Sequence, residues 1–126
     1  MDIITHQAIN PELCGRALQV EKGFSRVELV TTAVMTADHT GLIHGGFIFG
    51  LADYAAMIAV NHPNVVLGAA DVKFLKPVTQ GETVTAEARV EEIQGKKHWV
   101  AVSVANPSEV VFQGMFPCFA LDKHVL

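Results

Sequence analysis

Residues 44–60 constrain the fold of this chain more than any other stretch. A histidine and two glycines, His44 to Gly46, precede a run that is almost wholly apolar and contains one carboxylate, Asp53. A helix that is apolar on all sides is normally buried on all sides, and a carboxylate buried there without a partner is costly in free energy. The sequence therefore predicts one long buried helix, and the presence of Asp53 in it requires an explanation.

Asp53 admits two explanations. It accepts hydrogen bonds from a neighbouring strand as a structural acid, or it lines a cleft and acts on a substrate. Gly45 and Gly46 stand where the helix is expected to begin, where backbone N–H groups are unpaired and the helix dipole is positive. Glycines let another molecule approach such amides, which can then hold a developing oxyanion. An amide donor and a carboxylate on one helix point to acyl chemistry.

The length of 126 residues suits a single domain, spanning residues 1–126, with a sizeable core. Half of the residues are hydrophobic and 17% are charged, so a second copy of the chain is expected to cover part of the apolar surface. The formal net charge of -4 provides no broad basic field, which argues against nucleic-acid binding. The six histidines show no metal-ligand spacing, and no metal or other cofactor is expected.

Cys14 and Cys118 follow no paired motif, and so few cysteines are typical of a protein in a reduced compartment. The first residues lack the basic segment and apolar run of a secretory signal. No apolar stretch reaches the roughly 20 residues that a membrane span needs. These features favour a cytoplasmic protein that does not enter membranes.

Turn residues and hydrophobic periodicity predict one helix among strands. The first twenty or so residues are expected to be a lead-in with a helical turn near Pro11, capped by Asn10. The long helix is expected to end before Pro63, because proline disfavours helical geometry in the preceding residue. Residues 94–97 predict a hairpin turn, and Pro117 predicts a bulge or an edge position in the last strand. The predicted strands are 24–33, 65–74, 83–91, 98–105 and 109–121.

One strand, one buried helix and then further strands form an α+β pattern, in which an antiparallel sheet curls around the helix. The segments 43–46 (IHGG), 51–53 (LAD) and 74–77 (FLKP), the last followed by Gly81, resemble the hotdog-fold acyl-CoA thioesterases, in particular the phenylacetyl-CoA and hydroxybenzoyl-CoA thioesterase group. The resemblance extends from about residue 20 to residue 121. It implies a curled antiparallel sheet of about five or six strands around one long central helix.

Residue by residue, the resemblance implies that the Gly45 amide polarises the thioester carbonyl. It also implies that Asp53 is the nucleophile or the general base toward water. His44 matches the histidine of the motif, and its role is either chemical or confined to shaping the turn. The expected reaction is the hydrolysis of acyl-CoA to a free acid and CoA, without a metal.

Further residues are expected to bind the substrate. Gly46 is the next candidate for an oxyanion donor. Tyr54 and Met57 are expected to line the acyl pocket, although core packing is the usual role of such residues on a buried helix. Phe74 and Lys76 belong to the FLKP segment, where Lys76 either meets the phosphates of CoA or is solvated. Met57 stands where some relatives carry a threonine.

Helix geometry predicts that two chains share each site. Gly45 and Asp53 are separated by about 12 Å along the axis at 1.5 Å per residue, so one helix cannot bring both to the same thioester carbon. Two antiparallel helices related by a two-fold axis place Gly45 of one copy near Asp53 of the other. A homodimer is therefore expected, and a homotetramer built from such dimers is a further option.

Two alternative functions remain open. The same pocket can bind an acyl-CoA as a sensor without hydrolysing it, although the presence of Asp53 favours catalysis. A hotdog dehydratase would use His44 as its base, but the acid that such enzymes carry farther along the helix is not seen in this sequence.

Overall fold

The computed structural model describes residues 1–126. Two α-helices, one 3-10 turn and seven β-strands form the chain. In chain order they are α1 (Pro11–Cys14), β1 (Arg16–Glu21), β2 (Phe24–Val30), the 3-10 turn (Ala33–Met35), α2 (Gly45–Val60), β3 (Val65–Leu67), β4 (Asp71–Phe74), β5 (Thr83–Gln94), β6 (Lys97–Ala105) and β7 (Val110–Ala120).

The strands form one antiparallel sheet in the order β1-β2-β5-β6-β7-β3, and β4 also pairs with β7. Helix α2 packs against β1, β2, β3, β5, β6 and β7, so the sheet curls around the helix. The predicted α+β hotdog architecture is confirmed. The sheet has seven strands because β1 lies in the expected lead-in and the expected strand 65–74 is divided into β3 and β4.

Helix α2 has the predicted bounds. It begins at Gly45, after His44 in an extended conformation, and ends at Val60. Asn61 follows in a left-handed conformation and donates its N–H to the Met57 carbonyl. The buried Ser25 hydroxyl of β2 donates a 2.6 Å hydrogen bond to the Ala55 carbonyl. The helix is therefore attached to the inner face of the sheet in its second half. No helix of this structure combines the length and the apolar content that crossing a membrane requires.

The alternating strands and their turns also agree with the sequence. Val84, Ala86 and Ala88 of β5 are buried on the face that packs against α2, and β6 buries alternate valines in the same way. Gly95, with φ of +62°, forms part of the hairpin turn between β5 and β6. Asn10 caps α1 by accepting a hydrogen bond from the Glu12 N–H at 2.9 Å. Period-two alternation thus identifies the core side of these strands.

Three expectations require correction. The lead-in contains β1, which the sequence pattern missed because a bulge between Ala17 and Gln19 breaks the alternation. Strand 65–74 is interrupted at Gly68, where any Cβ would collide with the Phe119 ring. Pro117 lies in β7, between β6 and the β3/β4 segments, and pairs in register with Trp99, so it is neither at a sheet edge nor at the bulge against β6, which falls at Val111. The Pro117 carbonyl accepts a hydrogen bond from the Gly68 N–H, but proline has no N–H to donate in return. The neighbouring strand is interrupted opposite this missing donor.

Candidate active site

The first turn of α2 is held in place by the backbone that precedes it. The His44 N–H donates to the Met35 carbonyl at 2.9 Å, and the Ile43 N–H donates to the Val78 carbonyl at 2.8 Å. The amides of Gly45 and Gly46 donate no hydrogen bond within the chain. These two N–H groups therefore remain available to an anionic oxygen at the positive end of the helix.

Both glycines lie against a ring. A Cβ added at Gly45 would approach the Phe74 ring to 3.1 Å, and one added at Gly46 would approach the His44 ring to 3.0 Å. Phe74 in turn packs edge-on against Phe112, with 5.0 Å between ring centroids. The absence of side chains at Gly45 and Gly46 thus makes room for Phe74 and His44 at the start of the helix, which sequence reasoning did not foresee.

Asp53 is half-buried, and its Oδ1 atom is buried without any hydrogen-bond partner. Burial raises the pKa of Asp53 from 3.8 to about 6, because the charged carboxylate loses hydration that no donor in the chain replaces. A structural acid held by a neighbouring strand would accept hydrogen bonds from that strand. The buried oxygen of Asp53 accepts none.

Two thiols lie within electrostatic range of Asp53. Burial raises the pKa of Cys118 to about 12, and the charge of Asp53 contributes to the shift. Burial and the Asp53 charge also raise the pKa of Cys14, which ends α1. Both cysteines are free. No sequence signal links residues 14 and 118 to residue 53, because only the fold brings α1 and β7 to this part of α2.

The sequence-predicted residues fall into separate groups. Gly45, Phe74 and Lys76 line one cavity of about 250 Å³ beside the first turn of α2. Asp53 is seven residues beyond Gly46, about two helical turns at 3.6 residues per turn, so these two residues share one helix face. Gly45 faces another direction and is about 12 Å from Asp53 along the axis.

The remaining site residues differ in exposure. Tyr54 is half-buried next to Asp53, and burial raises the pKa of its hydroxyl. Met57 is fully buried in the hydrophobic core. His44 is exposed, and its ring meets Phe47 edge-on with 6.2 Å between centroids. Within one chain, Gly45 lines the cavity beside the first turn of α2 and Asp53 does not.

The family model described as the thioesterase superfamily matches residues 40–112. The matched stretch contains all of α2 and extends through β5 and β6. Among relatives, the acyl-coenzyme A thioesterase PaaI from Escherichia coli is 35% identical over 99 residues, which are 73% of this chain and 69% of PaaI. A methylthioribose-1-phosphate isomerase from Aquifex aeolicus is 52% identical over 123 residues, which are 97% of this chain.

The chain spans only part of some relatives. It covers 27% of the length of the Aquifex isomerase. It covers 60% of the transcription factor FapR from Caldanaerobacter subterraneus subsp. tengcongensis, which is 27% identical over 94% of this chain. Among solved structures, the uncharacterised protein PH1136 from Pyrococcus horikoshii superposes with a TM-score of 0.98 at 48% identity, covering 99% of this chain and 96% of that one.

Proposed function

The chain belongs to the thioesterase superfamily, and from this premise we propose that it hydrolyses an acyl-CoA thioester to a free acid and CoA. The Gly45 amide polarises the carbonyl oxygen. As a general base, Asp53 removes a proton from water, the hydroxide adds to the carbonyl carbon, the C–S bond breaks, and the CoA thiolate takes the proton back from Asp53. As a nucleophile, Asp53 forms an anhydride with the acyl group as the C–S bond breaks, and water then hydrolyses the anhydride to the free acid and the Asp53 carboxylate while its proton goes to the CoA thiolate. No metal or cofactor enters this reaction.

The unpartnered carboxylate of Asp53 is the observation that carries the proposal. Its Oδ1 atom is buried with no donor, and a shift of one pKa unit corresponds to about 1.4 kcal/mol. The rise from 3.8 to about 6 would correspond to about 3 kcal/mol in full. Because Asp53 is only half-buried, solvent screening reduces the destabilisation of the fold by the ionised carboxylate to an amount on the order of 2 kcal/mol. A group that weakens the fold in this way is expected where its chemistry is needed.

The amides at the start of α2 supply the complementary charge. An oxyanion donor of this kind contributes about 3 kcal/mol to transition-state stabilisation in other enzymes. Gly45 is the first candidate because its amide is free and its Cα lies beside a cavity. Gly46, whose amide is also free, is the second.

A homodimer is the smallest assembly that completes this site. Gly45 and Asp53 of one chain are separated by about 12 Å along the helix axis. Two antiparallel α2 helices, side by side, bring the Gly45 of one protomer to the Asp53 of its partner. Exposed apolar side chains near the start of α2, Phe74 and Leu75 among them, provide surface that such an assembly covers. A homotetramer of two such dimers is compatible with the same sites.

The second candidate is an acyl-CoA-binding module without turnover. The FapR relative, a transcription factor by name, favours this candidate, as does Met57 in place of the threonine of some relatives. The dehydratase alternative is weaker, because α2 carries no acid beyond Asp53 with which His44 would be paired.

A turnover assay separates these candidates. The chain is incubated with short, long and aromatic acyl-CoAs, and hydrolysis is followed by loss of thioester absorbance and by free thiol. The absorbance channel is needed because Cys14 is a free thiol that is only partly buried, and its labelling would add to the free-thiol signal. We expect protein-dependent hydrolysis of at least one class. Tight acyl-CoA binding without hydrolysis would replace the hydrolase by the binding module, and neither binding nor hydrolysis would reject both.

A further inference from the structure

One face of the first half of α2 is left partly uncovered by the rest of the chain. Gly46, Phe47, Gly50, Asp53 and Tyr54 are exposed or half-buried, and at 3.6 residues per turn they lie within about one third of the helix circumference. The opposite side of the helix is buried against the sheet. These five residues are called the outward face of α2 below.

Gly50 lies at the centre of the outward face, and no contact within the chain requires a glycine there. A Cβ added at Gly50 would meet no atom within 4 Å. The φ of Gly50 is not positive, so its backbone conformation does not require glycine either. Glycine inside a helix is less stable than alanine. The small residue is therefore expected to serve a contact outside the chain.

The two ends of the outward face carry opposite charge. The amides of Gly45 and Gly46 donate no hydrogen bond within the chain, and they stand at the positive end of the helix dipole. Asp53, at the other end, has a buried Oδ1 atom without a donor. A second copy related by a two-fold axis presents the same face in the reverse direction. Each carboxylate then faces the positive helix end of the other copy, so the face is complementary to itself.

Antiparallel pairing determines where two such helices come closest. If Gly45 of one protomer lies opposite Asp53 of its partner, the two-fold axis passes midway between these positions, beside Phe49. Phe49 itself points about 100° away from Gly50 around the helix. Gly50 is only about 1.5 Å from the axis along the helix. Of the outward-face residues, Gly50 is therefore the one nearest to the axis.

We propose that the two α2 helices of a homodimer cross at Gly50, and that the missing side chain there sets the gap between Gly45 of one protomer and Asp53 of its partner. The inference rests on the proposed function, which places these two groups on one thioester. Each helix contributes its residue 50 to the crossing, so a methyl group added there enters the contact twice. Gly50 is thus a positioning residue that acts on the reaction through the distance between two other groups.

Disulfide cross-linking tests the crossing without any assay of activity. Packed helices have axes about 8–10 Å apart. With a Cα radius of about 2.3 Å and an offset of about 3 Å along the axis, the two Cα atoms of residue 50 are then about 4.5–6 Å apart. A disulfide spans about 4.4–6.8 Å between Cα atoms. Gly50→Cys is therefore expected to form a covalent dimer under mild oxidation, detected by non-reducing electrophoresis.

Gly46→Cys is the matched control for cross-linking. It introduces the same side chain on the same outward face, but the two copies of residue 46 are offset by about 9 Å along the axis, beyond the reach of a disulfide. Both variants are made in a Cys14→Ala background, because Cys14 is a free thiol that is only partly buried. Cys118 is fully buried and stays in place. We expect no covalent dimer from Gly46→Cys.

Gly50→Ala tests the positioning role. Within one chain the added Cβ meets nothing, so a contact inside the chain predicts no loss of function. In the dimer the two methyl groups move the helices apart, and a displacement of about 1 Å at a reacting centre lowers the rate about 10²-fold. We expect kcat to fall by about that factor in protein whose native mass is still that of a dimer. Gly50→Leu should also raise the dissociation constant of the dimer by about 10- to 100-fold, measured by sedimentation.

Covalent dimers from Gly50→Cys but not from Gly46→Cys support the crossing. Linkage through Gly46→Cys, linkage through neither variant, or a monomeric unsubstituted chain would overturn it. Unchanged kcat in a verified Gly50→Ala dimer would overturn the positioning role.

Far-UV spectra identify a variant that fails to fold. If Gly50→Cys is lost in this way, Gly50→Leu decides the crossing, because an unchanged dissociation constant of the dimer rejects it. If the unsubstituted chain hydrolyses no acyl-CoA, the proposed function fails instead, and cross-linking still accepts or rejects the crossing.

Discussion

The two halves of α2 differ in what they contribute to the molecule. The first half contains Gly45, Gly46 and Gly50, and a Cβ at Gly50 would meet nothing within 4 Å. The second half is buried continuously from Ala55 to Ala59. Glycine in a helix costs about 1 kcal/mol relative to alanine. The glycine half, residues 45–52, therefore loses stability at Gly50, although nothing within the chain requires a small residue there. In the alanine half, residues 54–60, the small side chains allow close packing against the sheet.

Asp53 stands at the boundary between these halves, and it too costs stability. Stability and candidate function are thus distributed unequally along one helix. The glycine half and Asp53 are expected to control turnover, and the alanine half is expected to control folding. Substitutions on either side of the boundary can contradict that division.

Asp53→Asn is expected to have the largest effect. The amide keeps the shape of the side chain but removes the nucleophile or base, so kcat should fall by about 10³- to 10⁴-fold. The measurement is acyl-CoA hydrolysis by a variant whose far-UV spectrum and native mass match those of the unsubstituted chain. Near-normal turnover by the folded variant would assign Asp53 to the fold alone.

Gly45→Pro should reduce turnover by about 10²- to 10³-fold, because proline deletes the amide that polarises the carbonyl. The fold should tolerate it, since proline is favoured at the first helical position and His44 has the extended φ of -62° and ψ of 130° that a residue before proline prefers.

Gly45→Ala is the matched control for this substitution. It introduces the same close approach to Phe74 but retains the N–H. If both variants lose activity equally, the contact with Phe74 matters and the amide does not. If neither loses activity, the oxyanion donor is another amide, with Gly46 next.

Mixing Gly45→Pro chains with Asp53→Asn chains tests whether one active site combines Gly45 of one protomer with Asp53 of its partner. A heterodimer of Gly45→Pro and Asp53→Asn chains contains one site with both lesions and one with neither if sites are shared. Hydrolysis should then recover to at most about half of the unsubstituted level, provided that the sites act independently. Verified heterodimers that remain inactive would indicate sites built within one chain.

Asp53 should also make both stability and rate depend on pH. Its pKa of about 6 in the folded chain lies above its ordinary 3.8, so the folded state binds the extra proton between these values. The free energy of unfolding should fall as pH rises from about 4 to 6, by an amount on the order of 2 kcal/mol from this group.

Urea denaturation of Asp53→Asn against the unsubstituted chain isolates this contribution. The variant should be more stable at pH 8, and the difference should vanish near pH 4. Turnover of the unsubstituted chain should decrease about tenfold per unit below pH 6, because the carboxylate is the active form. A stability difference that is absent at pH 8 would show that Asp53 is solvated or paired in the assembled protein.

The smallest effect concerns the alanine half. Ala56→Gly places a glycine where the helix is fully buried, and it should lower the free energy of unfolding by about 1 kcal/mol with kcat unchanged. Thermal denaturation and the hydrolysis assay together check both parts. A loss of kcat at unchanged stability would place the alanine half in the catalytic machinery and contradict the division of the helix.

Features that depend on neighbouring residues were predictable. The bounds of α2, the hairpin at Gly95 and the cap at Asn10 follow from local rules for helix ends and turns, and all are present. Strand β1 was not predictable, because a bulge near Ala17 removes the alternation by which a strand is recognised. The interruption at Gly68 was also missed, because its cause is the Phe119 ring and Pro117 on a strand about fifty residues later.

The sequence by itself determined that one apolar helix starts with two glycines, carries Asp53, and is followed by strands with one apolar face. It also determined the family, because these residues and the FLKP segment stand at fixed spacings. Only the tertiary structure decided that the buried oxygen of Asp53 has no donor, that Cys14 and Cys118 lie within electrostatic range of it, and that the Phe74 ring lies against Gly45. The physical reason is that helix and strand periodicity specify which side of an element is buried, whereas hydrogen-bond partners and cavities depend on the order in which distant strands pair.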